Sequence, residues 1–367
     1  MARNKISGVP ICDADDHLVG ILTNRDVRFC TEEEYGKPVS EFMTPAPLVT
    51  APMGTSLDEA VLILHQHRIE KLPLVDEEGR LRGLITVKDI FKRIEKPEST
   101  LDSLGRLCVG AAIGVTDVEE RVGALVGEGV DMVVIDTAHG HTRGVIESIR
   151  LIKKNWPDLC VVGGNVVTRE GVDALVDAGA DVVKVGVGAG SICTTRIVAG
   201  AGMPQISAIF ECATAAKKHG VPIIADGGVV TSGDIVKAFV AGADAVMVGN
   251  LLAGCDEAPG DLELVDGAMW KTYRGMGSAG AMKGRAADRY GSAQRQGKHV
   301  AEGVEARVRY AGPLSELVGQ LVGGLRSGMG YAGAATLDEL RDETRMVRIT
   351  GAGLRESHPH DVSVLRD

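Results

Sequence analysis

The sequence predicts an α/β protein whose central sheet is parallel and closes into a barrel. Three observations support this prediction. From Leu107 onward, short β-branched apolar runs alternate with amphipathic segments rich in Ala, Val, Leu and Glu. Each apolar run ends in Gly, Asp or Asn, which is typical of the loops that follow buried parallel strands. The 48 glycines and the low aromatic fraction of 3% suit an architecture with many tight turns.

Six apolar runs are predicted as the strands of this sheet: 108–115, 132–137, 160–166, 182–187, 222–225 and 245–248. Because a closed (β/α)8 barrel needs eight strands, we expect a TIM (β/α)8-type barrel whose first two βα units are missing from this sequence. An open, doubly wound sheet is the alternative. The fragment Gly186-x-Gly188-x-Gly190 supports it only weakly, because the third glycine of a dinucleotide-binding motif is not at the right offset.

Residues 1–98 contain an internal repeat, in which 8–26 matches 71–89. Each copy predicts a strand, an acidic turn, a second strand and a helix that begins at the final Asp. The second copy has an upstream half, 42–70, for which the first copy has no counterpart. We therefore expect the first module to be truncated at its N-terminus, in line with the missing barrel units.

The chain is predicted to divide into four segments: the repeat at 1–98, strands three to eight with their loops at 99–279, a mobile flap at 280–310, and C-terminal helices with a tail at 311–367. Residues 256–310 carry many Gly, Arg and Lys residues without a clear period. This composition indicates a long irregular excursion that includes the flap.

Composition and charge exclude several classes of protein. The net charge of −10 offers no basic surface for nucleic acid. It still allows a phosphorylated small molecule, because backbone N–H groups bind phosphate. None of the seven cysteines lies in a C-x-x-C pair, which argues against a zinc site and a disulfide framework. No apolar run reaches membrane length and no signal peptide is visible, so we expect a cytoplasmic protein.

Cys193 is the strongest candidate for chemistry. It follows the apolar run 181–187 within the loop 188–196, so its thiol is predicted at the carboxyl end of a buried strand. A buried structural thiol is the alternative interpretation. The loop position and the polar, cationic neighbours Thr195 and Arg196 favour a nucleophilic thiolate instead.

Two glycine-containing turns predict a phosphate site. Residues 225–228 (Ala-Asp-Gly-Gly) and 248–250 (Val-Gly-Asn) end the last two predicted strands, where barrels often bind phosphate through backbone amides. Either turn alone would be an ordinary βα connection. Together they favour phosphate binding, and Asp226 would then accept hydrogen bonds from ribose hydroxyls.

Three other segments have open interpretations. Asp136 ends a predicted strand and suits a ligand-orienting carboxylate, whereas the nearby His139 and His141 lack a third metal ligand. Residues 273–278 are too rich in glycine for a helix or strand, which predicts a loop along a flat ligand or a flexible linker. The composition of 288–290, Asp-Arg-Tyr, indicates solvated side chains.

Taken in order, these motifs resemble the IMP dehydrogenase/GMP reductase family along the whole chain. Residues 190–196 (Gly-Ser-Ile-Cys-Thr-Thr-Arg) resemble its active-site loop, and 225–228 and 273–277 resemble its nucleotide-binding segments. Residues 1–98 resemble the pair of CBS modules inserted in its barrel, and 288–290 resemble the catalytic dyad of its flap. The dyad and the CBS pair together favour the IMP dehydrogenases over the GMP reductases.

The resemblance implies NAD-dependent oxidation of IMP to xanthosine monophosphate, in the guanine-nucleotide branch of purine biosynthesis. The Cys193 thiolate would add to C2 of hypoxanthine, and hydride would leave C2 for NAD. Water activated by Arg289, aided by Tyr290, would hydrolyse the thioimidate, and Thr195 with Glu302 resembles an alternative proton path. A GMP reductase, or an inactive chain that only senses nucleotides through its CBS modules, is the alternative.

The resemblance also assigns ligands to loop residues. Contacts to IMP are implied for Ser191, Asp226, Gly227, Gly228, Gly249, Asn250, Tyr273, Gly275, Met276, Gly277 and Glu302. Contacts to NAD are implied for Asp136, Thr137, Gly186 and Gly188. A K+ site is implied at Gly188, Gly190 and Cys193, completed from a neighbouring subunit by Glu356, Ser357 and His358. This implies a homotetramer, with an octamer left open, and ATP or GTP as regulators at the CBS modules.

Overall fold

The chain forms two compact units, Met1–Cys108 and Val109–Asp367. They are seen in a computed structural model that describes residues 1, 6–103, 105–283 and 300–362. The division falls C-terminal to the predicted end of the repeat at residue 98.

The first unit contains two small three-stranded sheets. Their strands, three to a sheet in chain order, are β1 (Gly8–Cys12), β2 (Leu18–Thr23), β3 (Thr44–Pro45), β4 (Ala51–Pro52), β5 (Lys71–Val75) and β6 (Leu81–Thr86). Two helices accompany the second sheet, α1 (Leu57–His67) and α2 (Val87–Glu95). Buried Ala60, Leu64 and Leu72 lie in the core between this sheet and α1.

The two copies of the repeat share one capping interaction. The Asp26 carboxylate accepts hydrogen bonds from the N–H and hydroxyl of Thr23 at 2.6 and 2.7 Å. Asp89 accepts the same pair from Thr86 at 2.9 and 2.7 Å. Only Asp89 lies in a helix, since residues 24–29 form turns and the predicted helix at Asp26 is wrong. A short helix needs a packing partner, and the described part of the first copy contains no counterpart of α1.

The second unit is built on a parallel sheet of six strands that lie side by side in chain order. The strands are β7 (Gly110–Ile113), β8 (Met132–Asp136), β9 (Cys160–Val166), β10 (Val182–Val185), β11 (Ile223–Asp226) and β12 (Ala245–Met247). All six coincide with predicted runs, which confirms the α/β class. β7 and β12 are the edge strands, so the described residues form a parallel half barrel.

Helices connect successive strands of this sheet: α3 (Val118–Gly127), α4 (Arg143–Asn155), α5 (Arg169–Asp177), α6 (Thr195–Val198), α7 (Gln205–His219) and α8 (Ser232–Val240). A four-residue helix, α9 (Asn250–Ala253), follows β12. The longer helices bury apolar residues against the sheet, as Ile149 of α4 and Ile209 of α7 show with no exposed surface.

Alternate residues of β10 lie on opposite faces of the sheet. Val183 and Val185 are fully buried and pack in the same core as Ile149 and Ile209. Lys184, between them, therefore points to the face opposite the helices. A charged side chain thus occupies the centre of the sheet, where the sequence had indicated only an apolar strand.

The described parts of the range 256–310, which are 256–283 and 300–310, are not the irregular excursion that the composition indicated. They contain an antiparallel sheet of β13 (Leu262–Val265), β14 (Ala268–Arg274) and β15 (Glu305–Arg309). The turn between β13 and β14 is Asp266-Gly267, with φ of 49° and 76°. These left-handed conformations match the hairpin turn that Asp-Gly favours. Since Tyr273 lies within β14, the prediction that 273–278 lies wholly outside a strand is also wrong.

The C-terminal part consists of three helices, α10 (Leu314–Ala332), α11 (Leu337–Glu343) and α12 (Gly351–Glu356). Leu340 of α11 is fully buried in a small core with Ile235 and Phe239 of α8. Among the described residues, none of the helices has the length and apolar character that crossing a membrane would require.

Replacing Ile149 tests whether the core between the sheet and the helices stabilises the second unit. Ile149→Ala removes a side chain with no exposed surface, and we expect the free energy of unfolding to fall by about 2–5 kcal/mol. Ile197, which is 85% exposed, supplies the control. Ile197→Ala should change the free energy of unfolding by less than about 0.5 kcal/mol. Urea denaturation followed by circular dichroism measures both, and equal losses would contradict the assigned core.

Candidate active site

The carboxyl ends of the parallel strands place the predicted site residues along one edge of the sheet. Asp136 is the last residue of β8 and Asp226 the last of β11. The loop that carries Cys193 follows β10, and Gly249 follows β12. Regular βα connectivity is thus what brings these distant parts of the sequence together.

Cys193 lies next to a hydroxyl and a carboxylate. Its half-buried Sγ donates a hydrogen bond to Thr195 Oγ1 at 3.2 Å. The Thr195 hydroxyl in turn donates to Glu302 Oε2 at 2.8 Å. The three side chains form a continuous path along which a proton can move between sulfur and carboxylate.

Backbone hydrogen bonds fix the cysteine loop to the segment that carries Glu302. Cys193 and Gly303 form an antiparallel bridge. The Val304 N–H donates to the Ile192 carbonyl at 3.0 Å, and the Thr194 N–H donates to the Glu302 carbonyl at 2.9 Å. These bonds hold the thiol and the carboxylate in register, although more than a hundred residues separate them in the chain.

The segment 275–278 joins the same arrangement. The Glu302 N–H donates to the Gly277 carbonyl at 3.0 Å, and the Gly275 N–H donates to the Val304 carbonyl at 3.0 Å. A Cβ on Gly275 would lie 3.2 Å from the Ile192 carbonyl oxygen, so this glycine permits the close backbone approach. Met276 is 51% exposed, which leaves its side chain accessible to a ligand.

The predicted phosphate residues meet at a second corner of the site. A Cβ on Gly249 would lie 3.0 Å from the Tyr273 hydroxyl. Burial, and then the charge of Asp226, raise the pKa of Tyr273, while a hydrogen bond with Ser191 opposes the shift. The phenol therefore stays protonated at neutral pH and can donate a hydrogen bond to an anion.

Gly227 and Gly228 bring the turn after β11 close to the cysteine loop. Both have positive φ, 90° and 80°, a conformation that favours glycine. A Cβ on Gly227 would lie 3.2 Å from the backbone nitrogen of Gly190. The two loops are therefore in backbone contact, while Asn250 begins α9 immediately after Gly249.

Lys184 and Asn165 are functional candidates that the sequence analysis missed. The Lys184 ammonium contacts Asp136 Oδ1 at 2.8 Å and also bonds Asp226. Asn165 Nδ2 donates to Asp226 Oδ2 at 2.9 Å and to the Gly186 carbonyl at 2.8 Å. A lysine inside an otherwise apolar strand was the available signal, because a buried charge requires a partner.

Thr137 and Gly186 have structural roles next to the predicted NAD site. The Thr137 hydroxyl is buried and donates to the Gly164 carbonyl at 2.7 Å. Gly186 has φ of 146°, and a Cβ there would collide with the Asp226 carbonyl. The Thr137 hydroxyl therefore fixes the backbone of β9, and Gly186 permits the close approach of the Asp226 backbone.

The residues present offer groups that suit a nicotinamide nucleotide. Asp136 and Asp226 are each about one-fifth exposed, so both carboxylates reach the surface of the site. Asn165 Oδ1 is buried and accepts no hydrogen bond within the described residues. An orphaned buried acceptor beside exposed carboxylates matches a ligand rich in hydroxyl and amide donors.

The predicted K+ ligands are only partly brought together in the single chain. Gly188, Gly190 and Cys193 share one loop, in which the Gly190 carbonyl accepts the Cys193 N–H at 3.1 Å. The side chains of Ser357 and His358 instead bond carbonyls of the preceding turn of α12, at 2.7 and 2.8 Å. Glu356 ends that helix. No cluster of three His, Cys, Asp or Glu side chains suited to a metal occurs in the described ranges.

The predicted flap dyad, Arg289 and Tyr290, lies outside the residues that the structure describes, as does Asp288. The flap itself, predicted at 280–310, is described at 280–283 and 300–310 only. Its C-terminal part includes β15, which pairs with β14 along five residues from Trp270 to Arg274.

Alkylation tests which cysteines are accessible. Burial raises the pKa of Cys212 to about 12, so at pH 8 only about 1 molecule in 10,000 is thiolate. We expect iodoacetamide at pH 8 to label half-buried Cys193 and exposed Cys108, and to leave buried Cys212 and Cys255 unmodified. Peptide mass spectrometry measures the order. Labelling of Cys212 before Cys193 would contradict the geometry of the site.

The chain is similar to known proteins over its whole length. Residues 31–360 match the family described as the IMP dehydrogenase / GMP reductase domain, and residues 1–31 match the CBS domain. The chain is 59% identical over 368 residues to an inosine-5'-monophosphate dehydrogenase of Halalkalibacterium halodurans. It is 58% identical over 369 residues to that of Aquifex aeolicus. Each match covers 100% of this chain and 75% of the relative.

A solved structure is similar as well. The crystal structure of a GMP reductase variant from Trypanosoma brucei in complex with guanosine 5'-monophosphate has a TM-score of 0.88 and 43% sequence identity. The match covers 98% of this chain and 74% of that one. Since the family model covers most of the chain and curated IMP dehydrogenases match all of it, the chain belongs to the IMP dehydrogenase family.

Proposed function

We propose that this protein oxidises IMP to xanthosine monophosphate with NAD as the hydride acceptor. The observation that carries the proposal is the path from Cys193 through Thr195 to Glu302, fixed against the loop 275–278. It supplies a nucleophile, a proton relay and a surface for a flat base in one place. The names of the relatives support the same reaction.

In this proposal the Cys193 thiolate forms a covalent bond to C2 of the hypoxanthine base. When bound, NAD supplies the acceptor for the hydride that leaves C2. Water then attacks C2, the carbon–sulfur bond breaks, and xanthosine monophosphate leaves. One water oxygen enters the product, one hydride leaves as NADH, and one proton is released.

The chain's own groups handle the proton of that water. Thr195 Oγ1 lies within hydrogen-bonding distance of both Cys193 Sγ and Glu302 Oε2. A hydroxyl in this position passes a proton towards the carboxylate and returns one to the sulfur. The resemblance assigns water activation to Arg289 and Tyr290 as well, so the Thr195–Glu302 path is proposed as the second route.

The nucleotide is proposed to lie along the loops around Cys193. Tyr273, Ser191, Gly228 and Gly249 surround the phosphate corner, and the protonated Tyr273 phenol donates to the phosphate. Asp226 accepts the ribose hydroxyls. The base lies against Met276 and Gly277, with Gly275 and Glu302 beside it, while Gly227 and Asn250 belong to the two turns proposed for phosphate.

The remaining assignments are proposals of the same kind. Asp136 faces the nicotinamide riboside, and Thr137, Gly186 and Gly188 contact NAD as well. Carbonyls of the cysteine loop hold K+ together with Glu356, Ser357 and His358 of a second copy in a homotetramer, and assembly into an octamer is left open.

The half barrel is proposed to be part of a TIM (β/α)8-type barrel. The first unit binds ATP or GTP as a CBS pair, and the enzyme works in the cytoplasm.

GMP reductase activity is the second candidate, because the Trypanosoma brucei GMP reductase has a similar structure. The two activities give opposite signals at 340 nm. NADH forms from IMP and NAD in the first, whereas NADPH is consumed with GMP in the second.

Removing the thiol tests the proposed nucleophile. With IMP, NAD and K+ present, the unchanged chain should form NADH, and Cys193→Ala should lose at least about 1,000-fold in kcat, because no covalent intermediate can form. Cys108→Ala, which removes an exposed cysteine, is the matched control and should keep full activity. If Cys193→Ala kept normal turnover, the assignment of the nucleophile would be wrong.

Replacing Thr195 tests the proton relay separately from hydride transfer. In an Arg289→Ala background, which leaves only the second route, Thr195→Val should lower steady-state kcat by about 100-fold and leave the first burst of NADH intact, because hydride departs before hydrolysis. In the same background Thr195→Ser keeps the hydroxyl and should stay within about threefold of the Arg289→Ala protein. Stopped-flow absorbance resolves the two phases. A lost burst in Thr195→Val would show that the hydroxyl acts earlier than proposed.

A further inference from the structure

Lys184 is the most deeply buried charged side chain among those described, with 1% of its surface exposed. It lies in β10, between β9 and β11, on the face opposite the helices. A lysine in the middle of a parallel sheet is costly, since its ammonium leaves water. A buried ammonium at this point requires partners of opposite charge.

The ammonium has two such partners, on strands to either side of β10. Asp136 comes from β8, which lies two strands away, and Asp226 comes from the adjacent β11. The side chain of Lys184 is 2% exposed, whereas those of the two aspartates are 22% and 21% exposed. The cation is therefore beneath the site, and the carboxylates rise from it towards the ligand side.

The backbone around Lys184 makes room for this arrangement. Gly164 on β9 is paired with Lys184, and a Cβ there would lie 2.7 Å from the Lys184 Cβ. Only a glycine lets β9 and β10 approach each other so closely at that point. The next residue, Asn165, donates to Asp226 Oδ2 at 2.9 Å and so holds the same carboxylate from a second side.

We propose that Lys184 is a positioning residue that sets the distance between the two bound substrates. This inference rests on the proposed function, in which Asp226 holds the ribose of IMP and Asp136 faces the nicotinamide riboside. One ammonium bonded to both carboxylates fixes each sugar relative to the other. It thereby aligns C2 of the base with the hydride acceptor, although Lys184 itself contacts neither.

A purely structural lysine would make a different prediction. It would stabilise the sheet, and its loss would lower the population of folded protein without changing the affinity of what remains. A positioning lysine acts through two named carboxylates, so its loss should weaken both ligands. The effect of that loss on the affinity for IMP should also depend on whether Asp226 is charged.

Binding measurements test this without relying on turnover. We expect Lys184→Met to raise the dissociation constants of IMP and of NAD by about tenfold each and to lower kcat/KM by about 100-fold, as misplacement of two reactants does. In an Asp226→Asn background, Lys184→Met should no longer change the affinity for IMP but should still weaken NAD. Titration calorimetry with IMP alone and with NAD alone gives both constants.

Lys153 provides the matched control. Its Nζ bonds the Asp181 carboxylate at 3.0 Å, just before β10 and outside the site. Lys153→Met should lower the melting temperature and leave both dissociation constants unchanged. Should Lys184→Met not fold, Lys184→Gln, which is one heavy atom shorter than lysine and keeps an uncharged NH2 donor, is expected to shift both constants in the same direction.

The inference is overturned if folded Lys184→Met or Lys184→Gln binds both ligands within about twofold of the unchanged protein. It is also overturned if only one ligand weakens, or if the effect on IMP is additive with Asp226→Asn. Failure of the unchanged protein to form NADH while it binds both ligands would instead count against the proposed reaction alone.

Discussion

The ion pairs between Lys184 and two aspartates are the interaction on which the geometry of the site depends. Six parallel strands put Asp136 and Asp226 at the same edge of the sheet, but parallel pairing alone would leave two like charges close together. The buried ammonium offsets their repulsion and links β8 to β11 across two intervening strands. The proposed binding of two sugars follows from this charge arrangement.

Long-range backbone hydrogen bonds then hold the side chains of Cys193, Thr195 and Glu302 together. The loop after β10 is held by Gly303 and Val304 on one side and contacts the turn at Gly227 on the other. The hydroxyl of Thr195 consequently lies between a sulfur and a carboxylate. The ends of β8 and β11 supply the two aspartates, the cysteine loop supplies the thiol and the hydroxyl, and the segment before β15 supplies the carboxylate. The proposed reaction needs all of these groups.

Much of this could be predicted from sequence. Apolar runs ending in glycine or aspartate predicted all six parallel strands, because buried strands need continuous apolar sequence. The sequence analysis does not predict the hairpin at 262–274, although its Asp266-Gly267 turn is a strong local signal. Charged residues around the turn interrupt the alternation of apolar and polar residues that identifies a strand. The Thr195–Glu302 contact was suggested by resemblance alone, since spacing along the chain does not report such distant pairs. The role of Lys184 is not visible in the sequence, because a single charge inside an apolar run does not change the strand prediction.

The central claim is that Cys193 becomes covalently bonded to the purine. The most direct test is to mix the protein with IMP and NAD, quench within the first turnover, and map the adduct by peptide mass spectrometry. We expect the peptide that contains Cys193 to carry the mass of the oxidised nucleotide, and only when NAD is present. NADH formation with Cys193 unmodified at every quench time, or with the nucleotide on another residue, would contradict it.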